Sequence, residues 1–263
     1  MKSRIFPFGS YVAFTALAAT ALMAATPAFA QTEDLLFSFT GSGEHGSAPV
    51  GGLIFDAAGN LYGTTILGGE GVCGSEGCGT AFELMPNAGG GWTQKVLHSF
   101  HDNGKDGLYP VTSLIFDATG NLYGTTENGG SHAAGTVFEL TPGTGGNWTE
   151  KILHNFGAGS DGTAPEAALI FDAAGNLYGT TSGGGAHVSG TVFELSPTTT
   201  GWTEKILHSF AGYPKDGDIP AAGLIFDAAG NLYGTTFNGG KHSNCPYGDC
   251  GTVFELTPAT GGV

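Results

Sequence analysis

The sequence predicts an all-β fold, a four-bladed β-propeller made of four repeats of about 55 residues with four strands each. Three observations lead to this prediction. Glycine accounts for 48 of the 263 residues, which is roughly three times the usual share and disfavours long helices. The segment Leu-Ile-Phe-Asp recurs at Leu53, Leu114, Leu169 and Leu224. The two ends of the chain carry complementary parts of one repeat, which favours a closed ring over an open stack.

Each repeat contains four hydrophobic segments separated by turn residues. The first strand is Leu-Ile-Phe-Asp, and the Asp-Ala-Ala-Gly-Asn after it predicts a tight hairpin. The second strand is Asn-Leu-Tyr-Gly-Thr-Thr, the third is Gly-Thr-Val-Phe-Glu-Leu, and the fourth is Trp-Thr-Glu-Lys-Ile-Leu-His-Ser-Phe. We call residues 66–79, 127–135, 182–190 and 237–251 the mid-repeat loops, and residues 101–113, 157–168 and 211–223 the inter-repeat loops. In an antiparallel meander both kinds of loop emerge on one side, which we call the loop face.

Residues 35–39 resemble the end of a fourth strand, with Phe37 in the position that His98, His154 and His208 occupy in the repeats. We expect this strand to pair with residues 251–256, because that pairing completes the last blade and removes an open edge. An open solenoid is the alternative. The predicted domain spans residues 31–263, with repeats near 51–100, 112–156, 167–210 and 222–263.

The first 30 residues have the features of a signal peptide. Lys2 and Arg4 precede an apolar stretch, and Ala28-Phe29-Ala30 forms a cleavage site, so we expect the cut after Ala30. A membrane anchor is the alternative. We expect the mature chain to have no membrane span and to be secreted or periplasmic.

The charge balance excludes two classes of partner. The chain has a formal net charge of −15 at pH 7, and after residue 30 it contains 6 lysines, no arginine and 23 acidic residues. Nucleic acids and anionic lipids are bound mainly by lysine and arginine side chains on phosphates. We therefore expect neither as a partner, and the sequence does not set the oligomeric state.

Four cysteines lie in two of the mid-repeat loops. Cys73 and Cys78 enclose four residues, as do Cys245 and Cys250, and both loops are longer than those of repeats two and three. In an oxidising compartment this spacing predicts two local disulfides, Cys73–Cys78 and Cys245–Cys250. A zinc site formed by all four cysteines is the alternative.

The sequence contains no recognisable catalytic constellation. A residue that recurs in every repeat is more often part of the scaffold than of a single active site, and the chain has no nucleophile elbow, HExxH motif or phosphate-binding loop. We interpret the fourth-strand histidines as packing residues because Phe37 replaces them in one copy. We expect no catalytic residue, no metal site and no cofactor.

The residues that vary between repeats gather on the loop face. Three mid-repeat loops carry a histidine and three inter-repeat loops carry an aspartate, namely His132, His187, His242, Asp106, Asp161 and Asp216. Binding usually occurs on variable loops held by a rigid scaffold. The leading hypothesis is therefore a non-catalytic exported module that binds a glycan, a surface component or a protein. The alternatives are an extracellular polysaccharide hydrolase or lyase, and a structural envelope protein.

The recurring Gly-Asn-Leu-Tyr-Gly-Thr-Thr and Gly-Thr-Val-Phe-Glu-Leu segments, with Gly-Gly between them, resemble the GloVer (choice-of-anchor) tandem repeat of secreted bacterial proteins. The resemblance covers residues 35–263 and recurs in four copies. The first half of each repeat is also similar to the strand pairs of two-component-regulator and NHL-type propellers, which supports the propeller by analogy. The chain differs from the family pattern in having few repeats and no recognisable anchor. The resemblance implies no catalytic residues.

Overall fold

A computed structural model describes residues 32–40, 45–242, 244–245 and 250–258. The chain separates into two compact units, Met1–Leu35 and Leu36–Val263. The described residues of the first unit, 32–35, are exposed and form no secondary structure, and the predicted leader, residues 1–30, lies outside the described part. All strands given below belong to the second unit. In the described part of the chain, no helix is both long enough and apolar enough to cross a membrane.

The second unit is all-β, and its main sheets follow the four repeats. The first sheet contains β1 (Ile54–Phe55), β2 (Leu61–Thr65), β3 (Thr80–Pro86) and β4 (Trp92–Ser99), hydrogen-bonded in that order. The second contains β6 (Ile115–Phe116), β7 (Leu122–Thr126), β9 (Thr136–Pro142) and β10 (Trp148–Asn155). The third contains β12 (Ile170–Phe171), β13 (Leu177–Thr181), β15 (Thr191–Thr198) and β16 (Gly201–Ser209). The fourth has three described strands, β18 (Ile225–Phe226), β19 (Leu232–Thr236) and β21 (Thr252–Leu256).

Short ladders join the two kinds of loop on the loop face. Strand β5 (Gly107–Leu108) pairs with β8 (Asn128–Gly129), β11 (Gly162–Thr163) with β14 (Gly183–Gly184), and β17 (Gly217–Asp218) with β20 (Asn238–Gly239). Each ladder connects an inter-repeat loop to the mid-repeat loop that follows it. The structure therefore holds both kinds of loop on one side of the sheets.

An aspartate organises the hairpin between the first and second strands of each repeat. The Asp56 carboxylate accepts hydrogen bonds from the backbone N–H groups of Ala58 and Asn60, at 2.9 and 2.8 Å, and from the Asn60 side-chain amide at 2.8 Å. Gly59 adopts a φ of 87°, which L side chains disfavour. The equivalent aspartates, Asp117, Asp172 and Asp227, make the same backbone contacts. The repeated sequence therefore encodes one turn four times.

The hydrophobic core lies between successive sheets rather than inside any one of them. Phe100, at the end of the first sheet, packs edge-on against Phe138 of the second, with ring centroids 5.1 Å apart. Phe156 contacts Phe193 and Phe210 contacts Phe254 in the same way. A sheet that is covered on both faces needs apolar residues on both sides of its strands. For this reason polar and apolar residues do not alternate strictly along the strands.

Close packing at these interfaces depends on a glycine in the second strand. A Cβ atom at Gly124 would lie 2.6 Å from Cζ of Phe138 and 2.9 Å from Cδ2 of Leu114. The Gly-Thr-Thr motif therefore leaves room for the phenylalanine ring of the neighbouring third strand.

The predicted closure of the ring is not observed. In the described part of the chain, β21 pairs only with β19, and residues 32–40 form no strand. Phe37 and Phe39 pack on the cluster of Leu61, Phe82 and Leu84, with the rings of Phe39 and Phe82 5.2 Å apart. The apolar side chains of Phe37 and Phe39 thus find their partners on the first sheet. The four-bladed propeller is therefore unconfirmed, although the fold is all-β as predicted.

Candidate functional site

A β-bulge positions the histidine of each fourth strand. In the ladder between β3 and β4, Ala81 faces His98 and Phe82 faces Val96, so Leu97 is the extra residue. The same shift surrounds Leu153 and Leu207 in the next two repeats. A bulge re-aims the side chains next to it. Here the bulged leucine takes part in the core, and the following histidine points toward the inter-repeat loop.

His98 meets two carboxylates, one from the inter-repeat loop that follows it and one from the next repeat. Its Nε2 atom lies 3.2 Å from Oδ2 of Asp106, on the inter-repeat loop, and 3.6 Å from Oε1 of Glu150, on β10 of the next sheet. We call these three residues the first interface cluster. The Asp106 side chain is only 6% exposed.

An equivalent cluster lies between repeats two and three. Nε2 of His154 lies 3.0 Å from Oδ2 of Asp161 and 3.7 Å from Oε1 of Glu204. We call this set the second interface cluster. Because the sequence motif repeats, the same three side chains meet at both interfaces.

Neighbouring groups hold the clusters in place. The His98 ring packs edge-on against Phe100, with centroids 4.7 Å apart, and Oδ2 of Asp106 accepts a hydrogen bond from the His101 backbone N–H at 2.9 Å. In the second cluster, His154 packs on Phe156 at 4.6 Å. The imidazole orientation is therefore fixed by packing as well as by the carboxylates.

The carboxylates influence each other strongly. Burial, together with the charge of Asp106, raises the pKa of Glu150 well above its usual range. Burial and the neighbouring Asp161 raise the pKa of Glu204 in the same way. Burial also raises the pKa of Asp161, but hydrogen bonds from His154 and from the Gly162 backbone N–H outweigh it and leave that pKa below its usual value.

Three oxygen atoms of these clusters are buried without a hydrogen-bond partner among the described residues. They are Oδ1 of Asp106, Oε1 of Glu150 and Oε1 of Glu204. A buried polar atom without a partner costs free energy. The clusters therefore have unused capacity to bind a proton or a cation.

The corresponding residues at the two ends of the repeat array, after repeat three and before repeat one, differ from the interface clusters. Nε2 of His208 lies 2.9 Å from Oδ2 of Asp216, but the described residues place no glutamate beside this more exposed pair. At the other end, His45 and Gln94 occupy the sequence positions of the aspartate and the glutamate. Nδ1 of His45 lies 2.9 Å from Oε1 of Gln94, and the Gln94 amide donates to the His45 carbonyl oxygen at 2.7 Å.

A cleft of about 510 Å³ opens beside the His45–Gln94 pair. Its lining is polar and comes from both kinds of loop and from β4, and comprises His45, Glu70, Gln94, Val96, Leu97, His98, Ser99 and His101. Three imidazoles, a carboxylate and an amide therefore meet in one concave site.

The binding residues predicted from sequence are only partly brought together. Asp106 and Asp161 are buried and contact fourth-strand histidines, and Asp216 makes the same contact with partial exposure. The loop histidines, His132, His187 and His242, are exposed. The described residues thus pair these aspartates with fourth-strand histidines and leave the three loop histidines exposed on the loop face.

Sequence analysis missed His98, His154, Glu150 and Glu204. It interpreted the histidines as packing residues and the fourth-strand glutamates, such as Glu204 beside Lys205, as charges on a solvent-facing rim. One signal could have identified them, because all three positions change together in one copy. Phe37, His45 and Gln94 stand there in place of histidine, aspartate and glutamate.

The cysteine prediction is confirmed. Cys73 bonds to Cys78 and Cys245 bonds to Cys250, with Cα atoms 5.0 and 5.4 Å apart. The alternative of a zinc site formed by the four cysteines is therefore wrong. Cys78 is fully buried in the core between repeats one and two, which shows that the first disulfide also contributes to packing.

The repeat assignment is supported by comparison with known families. The family model of the Gloeobacter/Verrucomicrobia repeat matches residues 19–170 and, in an overlapping match, residues 71–263. No curated protein matches the chain. The two matches together cover all of the sheets described above, and they confirm the resemblance to the GloVer repeat. The chain belongs to the Gloeobacter/Verrucomicrobia repeat family.

Proposed function

We propose that the chain is an exported, non-catalytic repeat module that binds a polar, hydroxyl-rich ligand such as a glycan on its loop face. The observation that carries this proposal is the polar cleft in repeat one. Its volume of about 510 Å³ lies in the range of small-molecule binding sites.

Four polar residues of the cleft, His45, Glu70, Gln94 and His101, have no counterpart of the same type in the other repeats. His45 stands where the later repeats have an aspartate, and Glu70 stands where repeats two and three have Ser131 and Ala186. His101 corresponds to Gly157 and Ala211. A set of side chains that occurs once suits a single binding site, whereas a set that recurs in every repeat suits the scaffold.

The chemistry of the lining favours hydroxyl groups over anions. Imidazole, amide and carboxylate groups can donate to or accept from hydroxyls, and the chain has a net charge of −15. The exposed histidines His132, His187 and His242 align with Gly71, next to the cleft residue Glu70. We propose that they extend the binding surface along the loop face, with Asp216 partly accessible beside them. Asp106 and Asp161 are buried, so we propose that they orient His98 and His154 rather than contact the ligand.

Two features support export. The amino-terminal segment has a charged start, an apolar stretch and a small-residue cleavage site. The two disulfides are of the kind that persists in oxidising compartments.

We also propose that the four repeats close into a ring, because the two ends of the array expose complementary apolar faces. Val253 on β21 is 80% exposed, whereas Val137 and Val192 at the same position are fully buried. Leu53 is 51% exposed at the other end, whereas Leu114 in the same position of repeat two is fully buried. Joining the ends would cover both faces with contacts of the kind that already join successive repeats.

The amino-terminal sequence supports closure in a second way. When residues 35–39 are aligned with a fourth strand, Glu33 falls at the position of Glu150 and Glu204. In a closed ring the fourth strand of the last repeat would come from this segment.

A glycan array with mass analysis of the products tests the proposed function. Wild-type protein should bind a defined set of glycans and leave their masses unchanged, because no catalytic step occurs. The double variant Glu70→Ala and His101→Ala should lose binding at least tenfold, since both side chains line the cleft. Gly89→Ser is the matched control, because it changes an exposed turn with open space around it.

Three outcomes would overturn the proposal. Cleaved products would indicate a hydrolase or a lyase. Unchanged binding in the double variant would exclude the cleft, and if the triple variant of His132, His187 and His242 to alanine then lost binding, the ligand would lie on those loops instead. An array without any bound glycan would remove the glycan as the ligand class.

A further inference from the structure

We propose that each interface cluster is a binding site for one divalent transition-metal ion, which bridges successive repeats. The ligands are His98, Asp106 and Glu150 in the first cluster, and His154, Asp161 and Glu204 in the second. This inference goes beyond the proposed glycan binding and does not depend on it.

The distances suit a metal ion. Zinc bonds to nitrogen and oxygen ligands at about 2.0–2.2 Å, so two ligand atoms on one ion are separated by about 3.0–3.6 Å. In the first cluster the histidine nitrogen lies 3.2 and 3.6 Å from the two carboxylates, and in the second it lies 3.0 and 3.7 Å from them. In each cluster all the ligand atoms lie within 4.8 Å of one another.

The buried oxygen atoms without partners are an independent indication. The Asp106 side chain is more than nine-tenths buried, and its Oδ1 atom has no hydrogen-bond partner among the described residues. Oε1 of Glu150 and Oε1 of Glu204 also have none. Two carboxylates approach each other in a buried site, and among the described residues the ion pairs of these carboxylates involve histidine alone. A bound cation would satisfy these oxygens and remove the repulsion between the carboxylates.

The histidine, aspartate and glutamate positions of the cluster are all occupied by other residues in one copy of the repeat. In the copy that begins at residue 35, Phe37, His45 and Gln94 replace histidine, aspartate and glutamate. If each residue served only local packing, the three could change independently. Simultaneous loss of all three is expected when they share one ligand.

The donor atoms indicate the class of metal. Each cluster offers one imidazole nitrogen and two carboxylates, which suits zinc or manganese, whereas calcium and magnesium prefer oxygen ligands alone. A proton shared by the two carboxylates of a cluster is the competing explanation for the unpartnered oxygens, and the test separates the two.

The test is a metal titration of the full chain. Purified protein is stripped with a chelator and titrated with ZnCl₂ by calorimetry, and the ions bound per chain are also counted by elemental analysis. We expect Glu150→Gln to bind one ion fewer than wild type, and the Glu150→Gln, Glu204→Gln double variant to bind two fewer. ZnCl₂ should raise the melting temperature of wild type and not that of the double variant.

Two further variants guard against misinterpretation. The triple variant His98→Phe, Asp106→His and Glu150→Gln copies the residues that repeat one already uses, so it should fold and lose one ion. The variant His132→Ala, His187→Ala removes exposed histidines and should keep the wild-type count. Wild type that binds no zinc, or double-variant protein that binds as many ions as wild type, would overturn the inference in favour of a shared proton.

Discussion

Asp106 lies on the loop between repeats one and two and Glu150 lies on β10 of repeat two, yet both carboxylates lie within 3.6 Å of one atom, Nε2 of His98. Asp161 and Glu204 have the same relationship through His154, within 3.7 Å. Each interface therefore combines an apolar contact between phenylalanine rings with one polar cluster. The apolar part supplies most of the burial, and the polar part requires a defined alignment of the two sheets.

The phenylalanine contacts should dominate stability. Replacing Phe138 by alanine removes a fully buried ring that contacts Phe100 and should lower the free energy of unfolding by about 3–5 kcal/mol. Replacing Phe39 by alanine should lower the free energy of unfolding less, because its ring is only partly buried on Phe82. Urea denaturation measures both. Equal losses would show that the amino-terminal segment is as firmly packed as the interior.

The second-strand glycine should not tolerate a side chain. In Gly124→Ala the new Cβ would overlap the rings and methyl groups that meet at Phe138 and Leu114, and overpacking of this kind costs about 1–3 kcal/mol. Gly89→Ala is the matched control, because nothing lies within 4 Å of its Cβ position. Thermal denaturation should separate the two variants. Similar melting temperatures would mean that the sheets can move apart at no cost.

The two disulfides should contribute unequally. Both close loops with a sequence separation of 5, so the chain-entropy contribution is about 2 kcal/mol for each. Cys78 is fully buried, whereas Cys250 is exposed. Cys73→Ala, Cys78→Ala should therefore lower the melting temperature more than Cys245→Ala, Cys250→Ala. The opposite order in calorimetry would contradict the packing role of Cys78.

The hairpin aspartates should make the stability of the fold depend on pH in the acidic range. Burial raises the pKa of Asp117, but hydrogen bonds from Asn121 and Thr119 outweigh it and hold the pKa below its usual value. The pKa of Asp172 is lowered in the same manner by Asn176 and Ala174. The stabilisation is therefore present above the unfolded-state pKa of about 3.9 and is lost as pH falls through the lower folded-state pKa.

The variant Asp117→Asn, Asp172→Asn tests this dependence. Its melting temperature should be below that of wild type at pH 7, and the difference should shrink as pH falls below about 4. A difference that stays constant from pH 2 to pH 7 would exclude the hydrogen-bonded carboxylates as its source.

The local features of the fold could be predicted from sequence, whereas contacts between repeats could not. The hairpin at Asp56 and the disulfide between Cys73 and Cys78 involve residues at most five positions apart, so spacing alone defines them. Glu150 meets Asp106 only because one sheet packs on the next. The bulge at Leu97 also re-aims His98, and nothing in the strand pattern signals it.

Closure is the point on which sequence and structure differ most. In the three complete sheets a fourth-strand lysine faces a third-strand glutamate, as Lys95 faces Glu83. The segment that aligns with a fourth strand carries Asp34 at the position of these lysines. This copy therefore lacks the charge that pairs with the third-strand glutamate in the three complete sheets, and we expect Asp34→Lys to raise the melting temperature.

A disulfide trap tests most directly whether the two ends of the array meet. By analogy with Val137, which faces His154 across its ladder, Phe37 should face Val253 in a closed ring. Protein that carries Phe37→Cys and Val253→Cys is oxidised and examined by non-reducing peptide mapping and size-exclusion chromatography, with each single variant as control. Closure predicts a bond between positions 37 and 253 within one monomer. Free thiols at both positions, or a bond found only between two chains, would contradict it.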